Sequence, residues 1–525
     1  MDSAIQDATI LSFNVCQRCK HRKKKCDRAL PGCSRCSRLN LPCNYNFPQP
    51  YGLSTPPESE STNTNEVSSN AVSVLQSHER NLLPELLDGF SFIAPQSAFQ
   101  TSSGEYTILS LDEQLTTHCW SIVNRNGGKD GVLSACGTYL NFVHPWLPIL
   151  SKETLFDHIL SQHSAPKGDT AILVLTIHLL SQLYQTMPTK RNKVDQLYHT
   201  TKGFYGFRLS TGRLSIELIQ AGILLAIYEH SQALHDATYL TLAACARMGY
   251  ILGFDKTLSH DFQPNAGEEA TMSQQRQVWW SIIILERISM LEYVPKKLPF
   301  AIPDLDWSDI LPSGDALRLP ISYGLVQHGD TTSPSPVDFS VPTRIAQGAY
   351  LLGHVIDRVQ SSNTDSSSCS AAKIDGTLRA YAMDLLQPSE HGHLCWPFAI
   401  SLSAILMLNA FEISMEPKPT EAHEKVMFQG RAILGLKSAL RMILESTESS
   451  SNAPDTEVIK LPIWVLHRAQ YAAILSLDFG IVDDDVEWWM TYIQTVKRML
   501  RVMQVRSRLA GMVSTFTKIA IYDEF

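Results

Sequence analysis

Residues 16–43 read CQRCKHRKKKCDRALPGCSRCSRLNLPC and place six cysteines within 28 positions. Their spacing is C-x2-C-x6-C-x6-C-x2-C-x6-C, so a three-cysteine unit occurs twice with an offset of 17 residues. The N-terminal sequence MDSAIQDATI lacks the basic and apolar regions of a secretory signal, so we expect reduced thiols rather than disulfides. Reduced thiols at this spacing predict a metal site. The predicted ligands are Cys16, Cys19, Cys26, Cys33, Cys36 and Cys43.

The repeat also predicts how many ions are bound. Structural zinc takes four ligands, so two ions need eight ligand positions, and six thiolates fill them only when two thiolates bridge both ions. The symmetric choice is the first cysteine of each unit, Cys16 and Cys33. The alternatives are one zinc on the two C-x2-C pairs, which leaves Cys26 and Cys43 without a role, or a chance cluster. The repeat favours two Zn²⁺ ions per chain, in a module too small to fold without metal.

Positive charge is concentrated in the same segment. Residues 1–50 hold nine Lys/Arg and three Asp/Glu, a balance of +6, whereas the remainder holds 35 and 49, a balance of −14. A basic head on an acidic body indicates that only the head meets a polyanion. A short helix held at its first two thiolates can direct its last turn into the major groove, with other cations on phosphates. A nuclear localisation signal is the alternative interpretation of the basic run. The predicted DNA-binding residues are Lys20, Arg22, Lys23, Lys24 and Lys25.

The rest of the chain divides by composition. Residues 47–105 are rich in Ser, Thr, Asn and Pro and predict a disordered linker, as does the short segment 1–13. From 106 to 525, apolar runs at helical spacing predict an all-α domain, with loops at 311–342 and 361–372. Trp279 and Trp280 are predicted to be core residues. Residues 394–411 carry no formal charge, but their Pro, Ser and Asn content favours a buried helix over a membrane span.

With these residues in hand, the segment 14–46 resembles the DNA-binding domain of the fungal Zn(II)2Cys6 binuclear-cluster transcription factors. The resemblance implies that Cys16 and Cys33 are the bridging ligands and that Lys23 contacts bases of a CGG-type triplet. Three body segments, at 144–157, 246–256 and 274–291, resemble the middle homology region of that family, which is an all-α regulatory domain. Glu286 departs from the usual Asp of the family, and the sequence EYVP at 292–295 replaces a Gly-Arg-Pro-like turn.

The expected fold is thus a small zinc-stabilised binuclear-cluster module and a large all-α regulatory domain, joined by a disordered linker. The resemblance implies a nuclear, sequence-specific regulator of RNA polymerase II transcription, of the kind that controls biosynthetic gene clusters or metabolic pathways. Its expected partners are double-stranded DNA, the transcription machinery, a small-molecule effector and a second copy of the chain, with no membrane. No G-x-S-x-G, Walker A or H-E-x-x-H motif is present, so we expect no enzyme. The alternatives are a helical enzyme or metabolite-binding protein with an appended zinc module, and non-specific nucleic-acid or RNA binding.

Overall fold

The computed structural model describes separate positions between residues 19 and 43 and, with gaps, residues 108–503. The longest gaps in the second range are 156–167, 326–338, 415–429, 443–454 and 459–485. The segments 1–13 and 47–105, which we predicted to be disordered, lie outside the described residues. The chain divides into two compact units, residues 1–82 and 83–525.

The described part of the small unit is built around cysteines. Helix α1 spans Ser34–Arg38 and follows Cys33, whose extended backbone (φ −64°, ψ 144°) begins the turn. Cys19, Cys33 and Cys36 form the buried centre, and Leu41 is the one larger apolar side chain among the described residues that packs against it. Such a centre buries too little apolar surface to hold a fold by itself.

The described residues of the large unit are mostly helical and contain an isolated bridge between Ile310 and Pro320 but no strand. The predicted all-α class is therefore confirmed. Two short 3₁₀ helices span Gln182–Tyr184 and Phe254–Leu258. The α-helices are α2 (Ile108–Arg125), α3 (Gly128–Phe142), α4 (Gly168–Ser181), α5 (Arg191–Ser210), α6 (Ile216–Ser231), α7 (His235–Leu252), α8 (Glu269–Met290), α9 (Val341–Gln360), α10 (Ser368–Leu385), α11 (Cys395–Ser414), α12 (Asp455–Val458) and α13 (Val486–Met503).

Helices α4 and α6 lie at the centre of the large unit. Every residue of α4 is buried, and α6 is buried from Leu218 to its end at Ser231. A helix that is apolar on all sides is stable only when other helices surround it. Helix α4 contacts α2, α3, α5 and α6, while α6 also contacts α7 and α8. Helices α9, α10 and α11 pack together and join this core through the contact of α9 with α8.

The contact between α7 and α8 depends on one glycine. A Cβ atom at Gly249 of α7 would lie 2.5 Å from the ring of Trp279 in α8. Glycine therefore lets the two helices approach closely enough to bury that ring. Trp279 and Trp280 are 1% and 0% exposed, which confirms that both are core residues.

Residues 395–411 of the uncharged apolar segment lie in α11. Its stretch Trp396–Ser414 is long and apolar enough to cross a membrane by length and composition, but 78% of that window is buried inside the protein. The predicted buried helix is confirmed. The predicted loops, in contrast, are too long, because α9 begins at Val341 and α10 begins at Ser368. Serine is favourable at the start of a helix, so a Ser-rich run does not mark a loop alone.

The departure at Glu286 has a structural explanation. Glu286 and Arg287 are adjacent, buried and ion-paired, with 2.7 Å between Arg287 Nη1 and Glu286 Oε2. Ala301 N–H donates to Glu286 Oε1 at 2.5 Å, and Arg287 Nη2 donates to the Ile302 carbonyl at 2.5 Å. The Arg287 guanidinium also lies 3.5 Å from the ring centroid of Phe300. The pair therefore holds the segment 300–302 against α8.

Candidate metal centre

Five of the six predicted thiol ligands are described, and they form two groups of three. The Sγ atoms of Cys19, Cys26 and Cys33 all lie within 4.8 Å of one another. The Sγ atoms of Cys33, Cys36 and Cys43 do the same. The sulfur of Cys33 is therefore common to both groups. Cys16, the sixth predicted ligand, lies outside the described residues.

The sulfur spacing fits a shared metal ion. Cys19 Sγ and Cys33 Sγ are 3.8 Å apart, well beyond the length of a disulfide bond of about 2.05 Å. Two sulfurs bound tetrahedrally to one zinc at about 2.3 Å each would be separated by about 3.8 Å. The donor set and its spacing thus fit zinc, which prefers thiolate ligands in a tetrahedral arrangement.

Backbone amides around α1 are directed at two of these sulfurs. Cys33 N–H donates to Cys43 Sγ at 3.2 Å, and Cys36 N–H donates to Cys33 Sγ at 3.4 Å. The second bond follows from the C-x2-C spacing, because the helix turn that starts at Ser34 brings the amide of Cys36 back to Cys33. Such hydrogen bonds stabilise thiolate charge and fix the direction of the ligand.

The cationic residues surround this centre unevenly. Arg22, Lys24 and Lys25 are exposed, as the DNA-binding prediction requires. Lys20 and Lys23 lie outside the described residues. Arg35 and Arg38 lie in the last turn of α1, where a cation is favourable beside the negative helix end. These two arginines are not among the predicted DNA-binding residues, although each follows a cysteine of the repeat by two positions, which could have indicated them.

The structural contact of Asp27 was not predicted from the sequence. Both of its carboxylate oxygens accept from the backbone N–H of Ser34, at 3.1 Å each. Asp27 directly follows Cys26 within the basic segment, and the pattern of charges there does not indicate a contact with a backbone amide.

Two family models match the chain. The fungal Zn(2)-Cys(6) binuclear cluster domain matches residues 14–51, and the fungal specific transcription factor domain matches residues 137–293. Within these two segments the chain is similar to the fungal Zn2Cys6 transcription factors. The first match contains all six cysteines of the repeat, and zinc is the metal that this cluster domain binds. The second match runs from α3 to just beyond α8 and contains both centre helices of the large unit.

Curated relatives are similar to this chain over part of its length. Transcription factor BOA15 of Botryotinia fuckeliana is 32% identical over 115 residues, which are 22% of this chain and 63% of the relative. The depudecin biosynthesis cluster-specific transcription activator DEP6 of Alternaria brassicicola is 64% identical over 32 residues, 6% of this chain and 5% of the relative. Transcription factor tazR of Aspergillus terreus is 24% identical over 166 residues, 30% of this chain and 26% of the relative. The chain thus spans less than two thirds of each of these relatives.

Proposed function

We propose that the protein is a nuclear, zinc-dependent regulator of RNA polymerase II transcription that binds DNA in a sequence-specific manner. The observation that carries this proposal is the pair of thiol groups that share Cys33 Sγ within a unit whose exposed side chains include Arg22, Lys24 and Lys25. Metal-bound thiols can hold a small scaffold rigid, and exposed cations on that scaffold suit a phosphate backbone. The relatives, all named as transcription factors or activators, support the same function.

The proposed metal centre contains two zinc ions and six thiolates, with Cys16 and Cys33 as bridging ligands. Support comes from Cys33, whose sulfur belongs to both described groups, and from Cys26 and Cys43, each of which completes one group. A single zinc on the two C-x2-C pairs gives Cys26 and Cys43 no reason to lie there. Zinc would act structurally, because all of its positions would be filled by protein sulfur.

The proposed DNA contacts divide into two kinds. Lys23 donates to base edges of a CGG-type triplet, where Lys or Arg can reach guanine O6 and N7. The other four predicted cations lie on phosphates and set the strength of binding without reading sequence. The name of the Alternaria relative favours control of a biosynthetic gene cluster. A second copy of the chain, the transcription machinery and a small-molecule effector of the helical unit are the proposed partners.

A helical enzyme with an appended zinc module is the alternative, and it is not favoured. Both matching models describe domains of transcription factors rather than of enzymes. The helical unit is proposed to regulate the DNA-binding head.

The first experiment measures zinc in the full chain by metal analysis. Two ions per chain are expected, and one ion per chain would refute the bridged centre. Cys33→Ala removes a sulfur from both described groups, whereas Cys43→Ala removes one from a single group. Loss of both ions in Cys33→Ala and survival of one in Cys43→Ala would support sharing directly. Equal loss in both variants, with an intact helical unit, would leave the sharing of Cys33 without support.

The second experiment measures binding of the full chain to a duplex with a CGG triplet and to a duplex with that triplet scrambled, over a series of salt concentrations. We expect a clear preference for the CGG duplex. Lys23→Ala should weaken the specific complex by about 1–3 kcal/mol and relax the preference. The matched variant Lys24→Ala should weaken both complexes alike and reduce the salt slope by about one. No preference in the unmodified chain would refute sequence-specific binding.

A further inference from the structure

Asp27 connects the two halves of the cysteine repeat. It follows Cys26 in the first three-cysteine unit, and its contact, Ser34, follows Cys33 in the second. Both carboxylate oxygens accept from the single Ser34 N–H, at 3.1 Å each. This N–H belongs to the first residue of α1, so the helix itself offers it no carbonyl partner.

The negative charge of Asp27 is unfavourable in a segment that binds DNA, so a structural reason for this residue is expected. Residues 16–43 contain nine Lys/Arg and Asp27 is their one acid. A carboxylate in a surface that binds DNA opposes the attraction to phosphates. Asp27 is also exposed, so packing does not require it. Its contact with Ser34 is a structural reason for an acid at this position, because a charged acceptor makes a stronger hydrogen bond to a backbone amide than a neutral one.

The position of this contact relative to the sulfurs suggests its purpose. Cys26 Sγ belongs to the first sulfur group, Cys33 Sγ belongs to both, and the Asp27–Ser34 bond joins the residues that directly follow these two cysteines. A rotation of one three-cysteine unit relative to the other about Cys33 Sγ would pull Asp27 away from Ser34. The hydrogen bond therefore opposes the motion that would separate the two sulfur groups.

We propose that Asp27 is a positioning residue that fixes the two sulfur groups relative to each other across Cys33 and thereby slows the loss of zinc. This inference rests on the proposed two-zinc centre. It concerns how the protein holds the metal, and DNA affinity is a poor measure of it because replacement of Asp27 also adds positive charge to the surface.

The test is the rate at which the full chain transfers zinc to an excess of a chromogenic chelator in the absence of DNA. Asp27→Ala removes the acceptor, and Asp27→Asn keeps one acceptor oxygen but removes the charge. Ser34→Pro removes the donor N–H from the other side. Proline suits this position, because Ser34 is the first helical residue and Cys33 already has the extended backbone that precedes proline. Ser34→Ala keeps the N–H and is the matched control.

We expect Asp27→Ala and Ser34→Pro each to release zinc about fivefold faster, as loss of a helix cap worth about 1 kcal/mol implies. Asp27→Asn should lie between Asp27→Ala and the unmodified chain, and Ser34→Ala should match the unmodified chain. The double variant Asp27→Ala/Ser34→Pro should be no faster than either single variant, because both remove the same bond.

Unchanged release from Asp27→Ala would overturn the inference. Multiplied effects in the double variant, about twenty-five-fold, would also overturn it, because the two residues would then act separately. The zinc content of the unmodified chain is measured first. A content of one ion would refute the two-zinc centre itself, whereas two ions with unchanged release rates would refute the role of Asp27 alone.

Discussion

Replacement of Glu286 by alanine should release the segment 300–302 from the large unit. The substitution removes the carboxylate that accepts from Ala301 N–H at 2.5 Å and that neutralises Arg287 at 2.7 Å. Arg287 is 2% exposed, so it would become a buried charge without its partner. Breaking a buried pair in this way costs about 3–5 kcal/mol, and we take about 4 kcal/mol for this site. Burial raises the pKa of Glu286, which the nearby Arg287 and backbone amides oppose.

Hydrogen exchange followed by mass spectrometry measures this effect where it occurs. A loss of about 4 kcal/mol from the opening free energy raises the exchange rate of the Ala301 amide by about a thousandfold, up to the limit set by global unfolding. Glu286→Gln keeps the size and one acceptor oxygen but removes the negative charge that pairs with Arg287, so it should show a smaller increase. The exposed Glu113 supplies the control Glu113→Ala. An exchange rate of the Ala301 amide that is the same in all three variants would refute the role of Glu286 in holding the segment 300–302 against α8.

Three further outcomes follow from burial in the large unit. Gly249→Ala should lower the free energy of unfolding by about 1–3 kcal/mol, because the added Cβ would press on Trp279. Gly137→Ala is the control and should not lower it, because a Cβ at this position meets nothing within 4 Å. Chemical denaturation measures both variants. Burial lowers the pKa of His178 below its usual value of 6.5, so the unfolded chain binds a proton at this residue more readily than the folded chain does. The free energy of unfolding should therefore fall as the pH is lowered from about 7 to about 5. The fall should be less steep in His178→Met. Burial raises the pKa of three thiols to about 12, so alkylation of the native chain after zinc chelation should modify the small unit and spare Cys119, Cys136 and Cys245.

The sequence predicts that Cys33 is shared by two ions because ligand number and repeat symmetry together limit the possible arrangements. Six thiolates cannot complete two four-ligand sites without sharing, and the repeat allows few choices of which sulfur is shared. The sulfur of Cys33 belongs to both described groups of thiols, and bridging of two ions by Cys33 stays a prediction. The companion prediction for Cys16 stays a prediction, since that residue lies outside the described part of the chain.

Helix positions were predictable only where the apolar pattern was strong. The apolar run that begins at Ile216 lies within α6, and the apolar run that ends at Phe411 lies within α11. Helices α5 and α10 carry many polar residues and gave no comparable signal. They are helical because tertiary packing completes what their local sequence leaves weak: α5 contacts α4 and α6, and α10 contacts α9 and α11.

Two residues could not be interpreted without coordinates. Glu286 was visible in the sequence only as a departure from the usual Asp, and its contact with Ala301 arises from a segment that returns to α8. Asp27 was counted only as one acid among cations, since its contact with Ser34 depends on how the two cysteine units face each other. In both cases the partner is a backbone amide, which no pattern of side chains reveals.

Each of the two units is stabilised by a different interaction, and this difference bears on how DNA binding could be controlled. The described part of the small unit has a centre of cysteines, so its stability depends on metal binding. The large unit has a continuous core of buried apolar residues, and no group of three metal-binding side chains was found among its described residues. Removal of zinc should therefore unfold the small unit and leave the helical unit intact. Zinc supply would then act on DNA binding while the proposed effector acts on the helical unit, so that the same chain can receive two independent inputs.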